Sequence, residues 1–188
     1  MNWTDYYLAK RTEPLHPLFD ILEPLLPSPG LAYDLGCGQG KATLWLADKG
    51  WDVVAVDQEP EGLQELQDRL PPESKVELIR SPMESVVLNP CDLVLMNFSW
   101  FFVPEPGFSQ IGAQWQAAIR PGGLWMGQIL GPEDSWVERG YTTRTRAEVE
   151  ALFERWKLHH LEEVCRAGKT VTGDSKHWHV FHVLAQRC

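Results

Sequence analysis

The sequence predicts an α/β fold built on a parallel sheet covered on both faces by helices. Three observations carry this. Short apolar runs alternate with segments of helical periodicity, a glycine cluster follows the first run, and an acid closes the second. Strands buried on both faces read as continuous apolar segments, and such sheets bind ligands outside the carboxyl ends of their strands, where the strand order switches.

The elements follow in order. Leu15, Leu18, Phe19 and Leu22 share one helical face; Pro14 and Pro17 suit its first turn and Pro24 ends or kinks it. Leu31–Asp34 is the first strand, and Lys41–Lys49 the next helix, with Ala42, Trp45 and Leu46 on one face. Asp52–Val56 is β-branched and apolar, a buried strand. Pro60 opens a helix carrying Leu63, Leu66 and Leu70, which Pro71-Pro72 stops. Val76–Arg80 and Asp92–Met96 are strands. Ile111, Trp115, Ala118 and Ile119 form a helical stripe ended by the turn "RPGG", and Leu124–Leu130 is the next strand. Thr145 and Glu148 make a capping box, opening a helix traced by Val149, Leu152, Phe153 and Trp156. His159–Arg166 and His177–Ala185, linked by "AGKTVTGDS", suit a hairpin on one edge of the sheet.

Without an internal repeat or a second composition, the 188 residues are expected to form one domain, with a helical cap over 1–30 and the core over 31–188. A formal charge of −9 argues against a nucleic-acid phosphate backbone and against anionic membranes. Cys37, Cys91, Cys165 and Cys188 contain no CxxC pair, no apolar leader stands at the N-terminus, and no run approaches a membrane span. These point to free thiols in the cytoplasm. Oligomeric state is not readable.

Gly36, Gly38 and Gly40 give G-x-G-x-G; the dinucleotide pattern needs a further glycine where Lys41 stands. Glycine lets the backbone turn tightly and approach a ligand, and the N–H groups opening the next helix can receive a carboxylate or phosphate. Asp57 closes the second strand about twenty residues on, where an acid can bind both ribose hydroxyls.

"YDLGCGQG" and "VVAVDQEP" resemble the first two motifs of class I S-adenosylmethionine-dependent methyltransferases. "VELIRSPMES", "CDLVLMNFSWFF" and "IRPGGLWMGQIL" fall where that family has its third to fifth strands. The resemblance implies a Rossmann-like, doubly wound, seven-stranded sheet, mostly parallel, with the last strand antiparallel. "NWTDYY" and the size look most like the small bacterial tellurite-resistance and thiol methyltransferases. It further implies S-adenosylmethionine as cofactor and a small-molecule acceptor. Asp34, Gly36, Cys37, Gly38 and Gly40 would surround the methionine portion, Asp57 the ribose, and Gln58, Met83 and Glu84 the adenine. Pro82 stands where that family often has an acid. Asn97 and Phe98 would lie under the reacting centre.

Methyl transfer from a sulfonium needs alignment and exclusion of water more than a dedicated base, so the catalytic residue is not evident; His177 and Tyr7 are candidates. Trp100, Phe101 and Phe102, with Glu105 beside them, suit either an acceptor wall or the core. Tyr6, Lys10 and Arg11 could fold over the cofactor, and Arg144 and Arg146 could meet an anionic acceptor or stay solvated. His177 and His179 share one strand face, but no Cys/His partner motif accompanies them, so no metal is expected. Two other functions fit the same loop: a nicotinamide-dependent oxidoreductase, or a non-catalytic S-adenosylmethionine-binding regulatory module.

Overall fold

The computed structural model describes residues 13–188; Tyr6, Tyr7, Lys10 and Arg11 lie outside the described residues. Helix α1 (Leu18–Leu22) and a 3₁₀ turn (Glu23–Leu25) lead into β1 (Leu31–Leu35). Then come α2 (Lys41–Asp48), β2 (Asp52–Asp57), α3 (Pro60–Arg69) and β3 (Val76–Arg80). A 3₁₀ turn (Met83–Ser85) replaces a crossover helix before β4 (Cys91–Met96). The 3₁₀ turn Trp100–Phe102 precedes α4 (Gly107–Ala118) and β5 (Ile119–Leu130). Another 3₁₀ turn (Ser135–Arg139), α5 (Arg146–Leu152), β6 (Trp156–Lys169) and β7 (Ser175–Arg187) complete the chain.

The strands form one seven-stranded sheet in the order β3-β2-β1-β4-β5-β7-β6. Strands β1 to β5 pair in parallel, and β7 runs antiparallel to both β5 and β6. The strand order reverses between β1 and β4, which places the loop after β1 at the switch point.

Each face of the sheet carries its own apolar layer. One joins Trp100, Phe108 and Trp115 to Trp125 and Phe153. The other seats Leu18, Phe19 and Leu22 of α1 against Leu46, Leu93 and Met126, so α1 is part of the core. The capping box forms: the Thr145 hydroxyl receives the Glu148 N–H, and the Glu148 carboxylate receives the Thr145 N–H.

Two elements differ from expectation. Trp156 opens β6 instead of closing α5; its ring still meets Trp115 at 5.5 Å, so one apolar stripe continues across the helix–strand boundary. The "RPGG" segment does not separate α4 from β5. Cys91 pairs with Ile119 and Leu93 with Leu124, leaving residues 120–123 as a bulge within β5, with Gly122 at φ +82°.

The tail strands are longer than the rest of the sheet. The β5–β7 ladder ends at Leu130 opposite Val180, whereas β6 and β7 stay paired to Lys169 opposite Ser175. The five pairs from Cys165–His179 to Lys169–Ser175 carry the hairpin tip roughly 17 Å beyond the end of β5.

Candidate functional site

A cleft of about 1460 Å³ opens at the carboxyl ends of the central strands. Its inner half is built by the loop after β1. Gly36 (φ +77°) is required twice over: its backbone is left-handed, and a Cβ there would lie 2.3 Å from the Ser99 Cβ. The Gly36 and Cys37 N–H groups both donate to the Val56 carbonyl, and Gly38 donates to Asp57 Oδ2 at 2.7 Å. Asp57 Oδ1 accepts the Glu59 N–H at 2.9 Å. One carboxylate therefore ties the loops after β1 and β2 together and keeps further lone pairs toward the cleft. Gly40 donates to the Cys37 carbonyl as well, so four of the loop's own N–H groups are taken, and what it can offer a ligand is its shape together with Asp57.

Behind the loop, Asp34 is buried and accepts the Thr43 hydroxyl at 2.6 Å. Burial pushes its pKa up to about 6, and the nearby Asp57 charge adds to the rise. Burial likewise raises the Cys37 thiol well above its ordinary value, so this cysteine is not an activated nucleophile.

The floor between the two halves is Asn97-Phe98, just after β4. Phe98 holds φ +55° without being glycine, and its N–H donates to Gln128 Oε1 at 2.8 Å. Gln128 faces His182 across the β5–β7 ladder. Three buried polar atoms here lack a protein partner: Asn97 Oδ1, Gln128 Nε2 and His182 Nδ1. Unpaired buried atoms of this kind mark places where a ligand or water completes the bonding. His16 stacks on His182 with ring centroids 4.7 Å apart, and Phe98 sets its edge against both rings.

Burial lowers the His182 pKa to about 4, with His160 adding to the shift. Its effect on stability opposes that of Asp34. Between pH 4 and 6 the folded protein keeps the Asp34 proton that the unfolded chain has released, so this contribution falls as pH rises. The unfolded imidazole is protonated up to about pH 6.5 while the folded ring is not, so the His182 contribution is lost as pH falls. Each amounts to about 3 kcal/mol, and the two nearly cancel. His182→Phe removes one side. The difference between variant and wild-type urea stabilities is expected to change by about 3 kcal/mol from pH 6.5 to pH 4, shrinking any wild-type advantage at acid pH. A difference that stays constant with pH would contradict a neutral, buried imidazole.

The outer half of the cleft is aromatic. Phe101, Phe102, Trp136 and Trp178 line it with Arg139, and the hairpin tip over Lys169–Asp174 overhangs it. Trp136 and Trp178 approach at 5.6 Å, and Trp136 meets Phe102 at 6.2 Å. These ring faces and the rim cation suit a flat apolar group bearing polar substituents.

The structure thus brings Asp34, Gly36, Cys37, Gly38, Asp57, Gln58, Met83, Glu84, Asn97, Phe98, Phe101 and Phe102 to one cleft. Gly40 stands behind the lining. It sits at φ +69° ahead of α2, and a Cβ there would lie 2.3 Å from Leu66 of α3, so its role is helix packing. Trp100 is core: fully buried, it stacks on Phe108 at 4.0 Å and donates to the Phe108 carbonyl. His177 lies outside the cleft, on the exposed stem of the hairpin. Arg144 pairs with Glu105, and Arg146 with Glu150 and Glu163. Trp136 and Arg139 lie in the loop 131–145 after the fifth strand, whose position in the sequence suits contact with an acceptor, although neither side chain stands out there. Trp178 and the hairpin tip were not anticipated; the polar "KTVTGDS" reads as any turn until the strand register is known.

Residues 32–123 match the family described as a methyltransferase domain. That span holds the glycine loop, Asp57, the Met83–Ser85 turn and Asn97-Phe98, and stops before Trp136 and the hairpin. The carboxy-S-adenosyl-L-methionine synthase of Geobacter sp. (strain M21) is 32% identical over 100 residues, covering 49% of this chain and 41% of that protein. An uncharacterised methyltransferase of Mycobacterium bovis is 34% identical over 168 residues, covering 81% of this chain and 65% of that one. The chain thus spans about two fifths of the synthase and just under two thirds of the mycobacterial protein. TehB from Haemophilus influenzae has the same fold, with a TM-score of 0.76 at 19% identity over 99% of this chain and 67% of that one. No helix among the described residues is long and apolar enough to cross a membrane.

Proposed function

We propose that the chain, whose residues 32–123 match a methyltransferase domain, is a class I S-adenosylmethionine-dependent methyltransferase that moves a methyl group from S-adenosylmethionine to a small, flat acceptor. The observation that carries this reading is the single cleft, which joins the glycine loop and Asp57 to an aromatic outer half across the Asn97-Phe98 floor. A nicotinamide oxidoreductase or a purely regulatory module finds no comparable support.

The residues present fit the nucleoside. Asp57 offers a fixed carboxylate for the two ribose hydroxyls, and Gln58, Met83 and Glu84 border the adenine, with Pro82 where an acid is frequent. Asp34 and the glycine loop surround the methionine portion, and a nearby ammonium would favour the ionised form of Asp34. Asn97 Oδ1, unpaired at the junction of the halves, accepts a hydrogen bond from whatever is seated there.

Held by these residues, S-adenosylmethionine would supply an activated sulfonium methyl, its carbon–sulfur bond exchanged for the acceptor's bond to carbon and the acceptor's proton lost to solvent or to a neighbouring base. The protein's part is alignment and exclusion of water, for which the rings of Phe98, Phe102, Trp136 and Trp178 are suited. Of the described histidines only His16 lines the cleft. Its Nδ1 accepts the Leu18 N–H, so the neutral ring carries its proton on Nε2 and acts there as a donor. An acceptor that is a soft or already ionised nucleophile suits such a site. A formal charge of −9 and four free cysteines favour a small molecule of the cytoplasm over nucleic acid.

Calorimetry with S-adenosylmethionine, S-adenosylhomocysteine and NAD, followed by turnover against thiols, phenols and nitrogen heterocycles, tests the proposal. The two sulfur nucleosides are expected to bind and NAD to be excluded. With an acceptor in hand, Trp178→Ala should raise its KM roughly tenfold with a smaller change in kcat, by loss of stacking. Binding of NAD alone would overturn the reading, and binding of the donor with no turnover on any acceptor would favour the regulatory module.

A further inference from the structure

We propose that Glu133, Cys165 and His177 form a surface site for a borderline-soft divalent cation of the zinc type, independent of the methyl-transfer reading. The three residues come from three segments: the loop after β5, strand β6 and strand β7. Their ligand atoms all lie within 4.8 Å of one another, and all three residues are exposed. Cys165 Sγ and His177 Nε2 are 3.4 Å apart. Two such ligands bound to one tetrahedral zinc, at about 2.3 Å for sulfur and about 2.0–2.1 Å for nitrogen, stand roughly 3.6 Å apart. The pair is therefore already at ligand spacing, and a Glu133 carboxylate oxygen lies within 4.8 Å of both.

The chemistry and the surroundings agree with that geometry. Thiolate, imidazole and carboxylate together are a donor set for zinc or cobalt, not for magnesium or calcium, which take oxygen ligands. The ligand-bearing backbone is held in place. The Glu133 N–H donates to His179 Nδ1 at 3.2 Å, and the Ser135 hydroxyl to the His177 carbonyl at 3.3 Å. On binding, the Cys165 proton passes to solvent, the metal takes the thiolate, and water fills the remaining position.

The location gives the site a consequence. Glu133 begins the segment that carries Trp136 and Arg139, while Cys165 and His177 stand on the stem whose tip overhangs the cleft. A bound cation clips these two walls together from outside.

The test uses the tag-free full chain, stripped with a chelator and titrated with Co²⁺. One ion per chain is expected, with a thiolate-to-cobalt charge-transfer band. Cys165→Ser should abolish the band, whereas Cys188→Ser, at the other exposed cysteine, should keep it. His177→Ala and Glu133→Gln should each weaken binding roughly tenfold or more. Zinc should raise the melting temperature of the wild type and not of Cys165→Ser, with circular dichroism confirming that the variant is folded. The absence of a charge-transfer band in the wild type, its survival in Cys165→Ser, its loss in Cys188→Ser, or unchanged affinity in His177→Ala would each overturn the proposal.

Discussion

Asp57→Ala is expected to weaken S-adenosylmethionine binding by about 2–3 kcal/mol, roughly 30- to 150-fold in Kd. The size follows from what a fixed carboxylate does. In the free protein Asp57 is already oriented by the N–H groups of Gly38 and Glu59, so no rotamer entropy is spent when ribose hydroxyls donate to its remaining lone pairs. Charge-assisted hydrogen bonds are the stronger kind, and two hydroxyls can use them. Because the substitution also releases the Gly38 and Glu59 N–H groups, loop loosening has to be separated from ribose binding. A ligand with 2′- and 3′-deoxyribose does this. Against that analogue the alanine variant should lose far less than against S-adenosylhomocysteine, because the hydroxyl partners are already gone. Equal losses for both ligands would assign Asp57 to loop structure alone, and unchanged affinity for S-adenosylhomocysteine in a folded variant would remove it from the site.

That the inner half of the cleft could be read from sequence, and the outer half could not, has a physical origin. The inner half is a backbone problem. Gly36 must be glycine because of its φ and the nearness of Ser99, and Asp57 must close β2 to reach the loop beside it. Such demands fall on one or two residues at fixed spacing. Gly40 shows the limit: glycine spacing does not distinguish close approach to a ligand from close approach to Leu66. In "NFSWFF" the aromatic residues alone could not be sorted between wall and core. The 3₁₀ turn sorts them, because at three residues per turn successive side chains point about 120° apart, sending Trp100 onto Phe108 and Phe102 to the cleft. The hairpin wall depends on how far β6 and β7 stay paired past the end of β5. That register is a long-range property, with no local mark in "KTVTGDS".

Asp134→Ala is expected to destabilise the protein by about 3–5 kcal/mol, the cost of leaving a buried charge without its partner. Asp134 is fully buried and pairs with the equally buried Lys176, while its two oxygens also receive the N–H groups of Trp136 and His179. The Lys176 ammonium lies 4.1 Å from the centre of the Trp136 ring and 4.3 Å from that of Trp178. One ion pair thus sits behind the two rings that line the outer cleft and ties the segment after β5 to the hairpin stem. Burial already lowers the Lys176 pKa, against the pull of Asp134. Without that carboxylate the folded pKa falls further below the unfolded value, so the variant should regain stability as pH rises and the amine gives up its proton. Urea unfolding at neutral and alkaline pH measures both effects, and a loss that does not shrink at alkaline pH would contradict an uncompensated lysine. Asp134→Leu combined with Lys176→Met should recover much of the stability, because an apolar pair of similar volume removes the desolvation cost. It leaves the Trp136 and His179 N–H groups without their acceptor, however, so the rings lose their fixed separation even where the fold survives. Acceptor KM in that double variant should therefore stay raised while donor affinity stays at the wild-type level. A double variant that restores both would show that the charges serve stability alone.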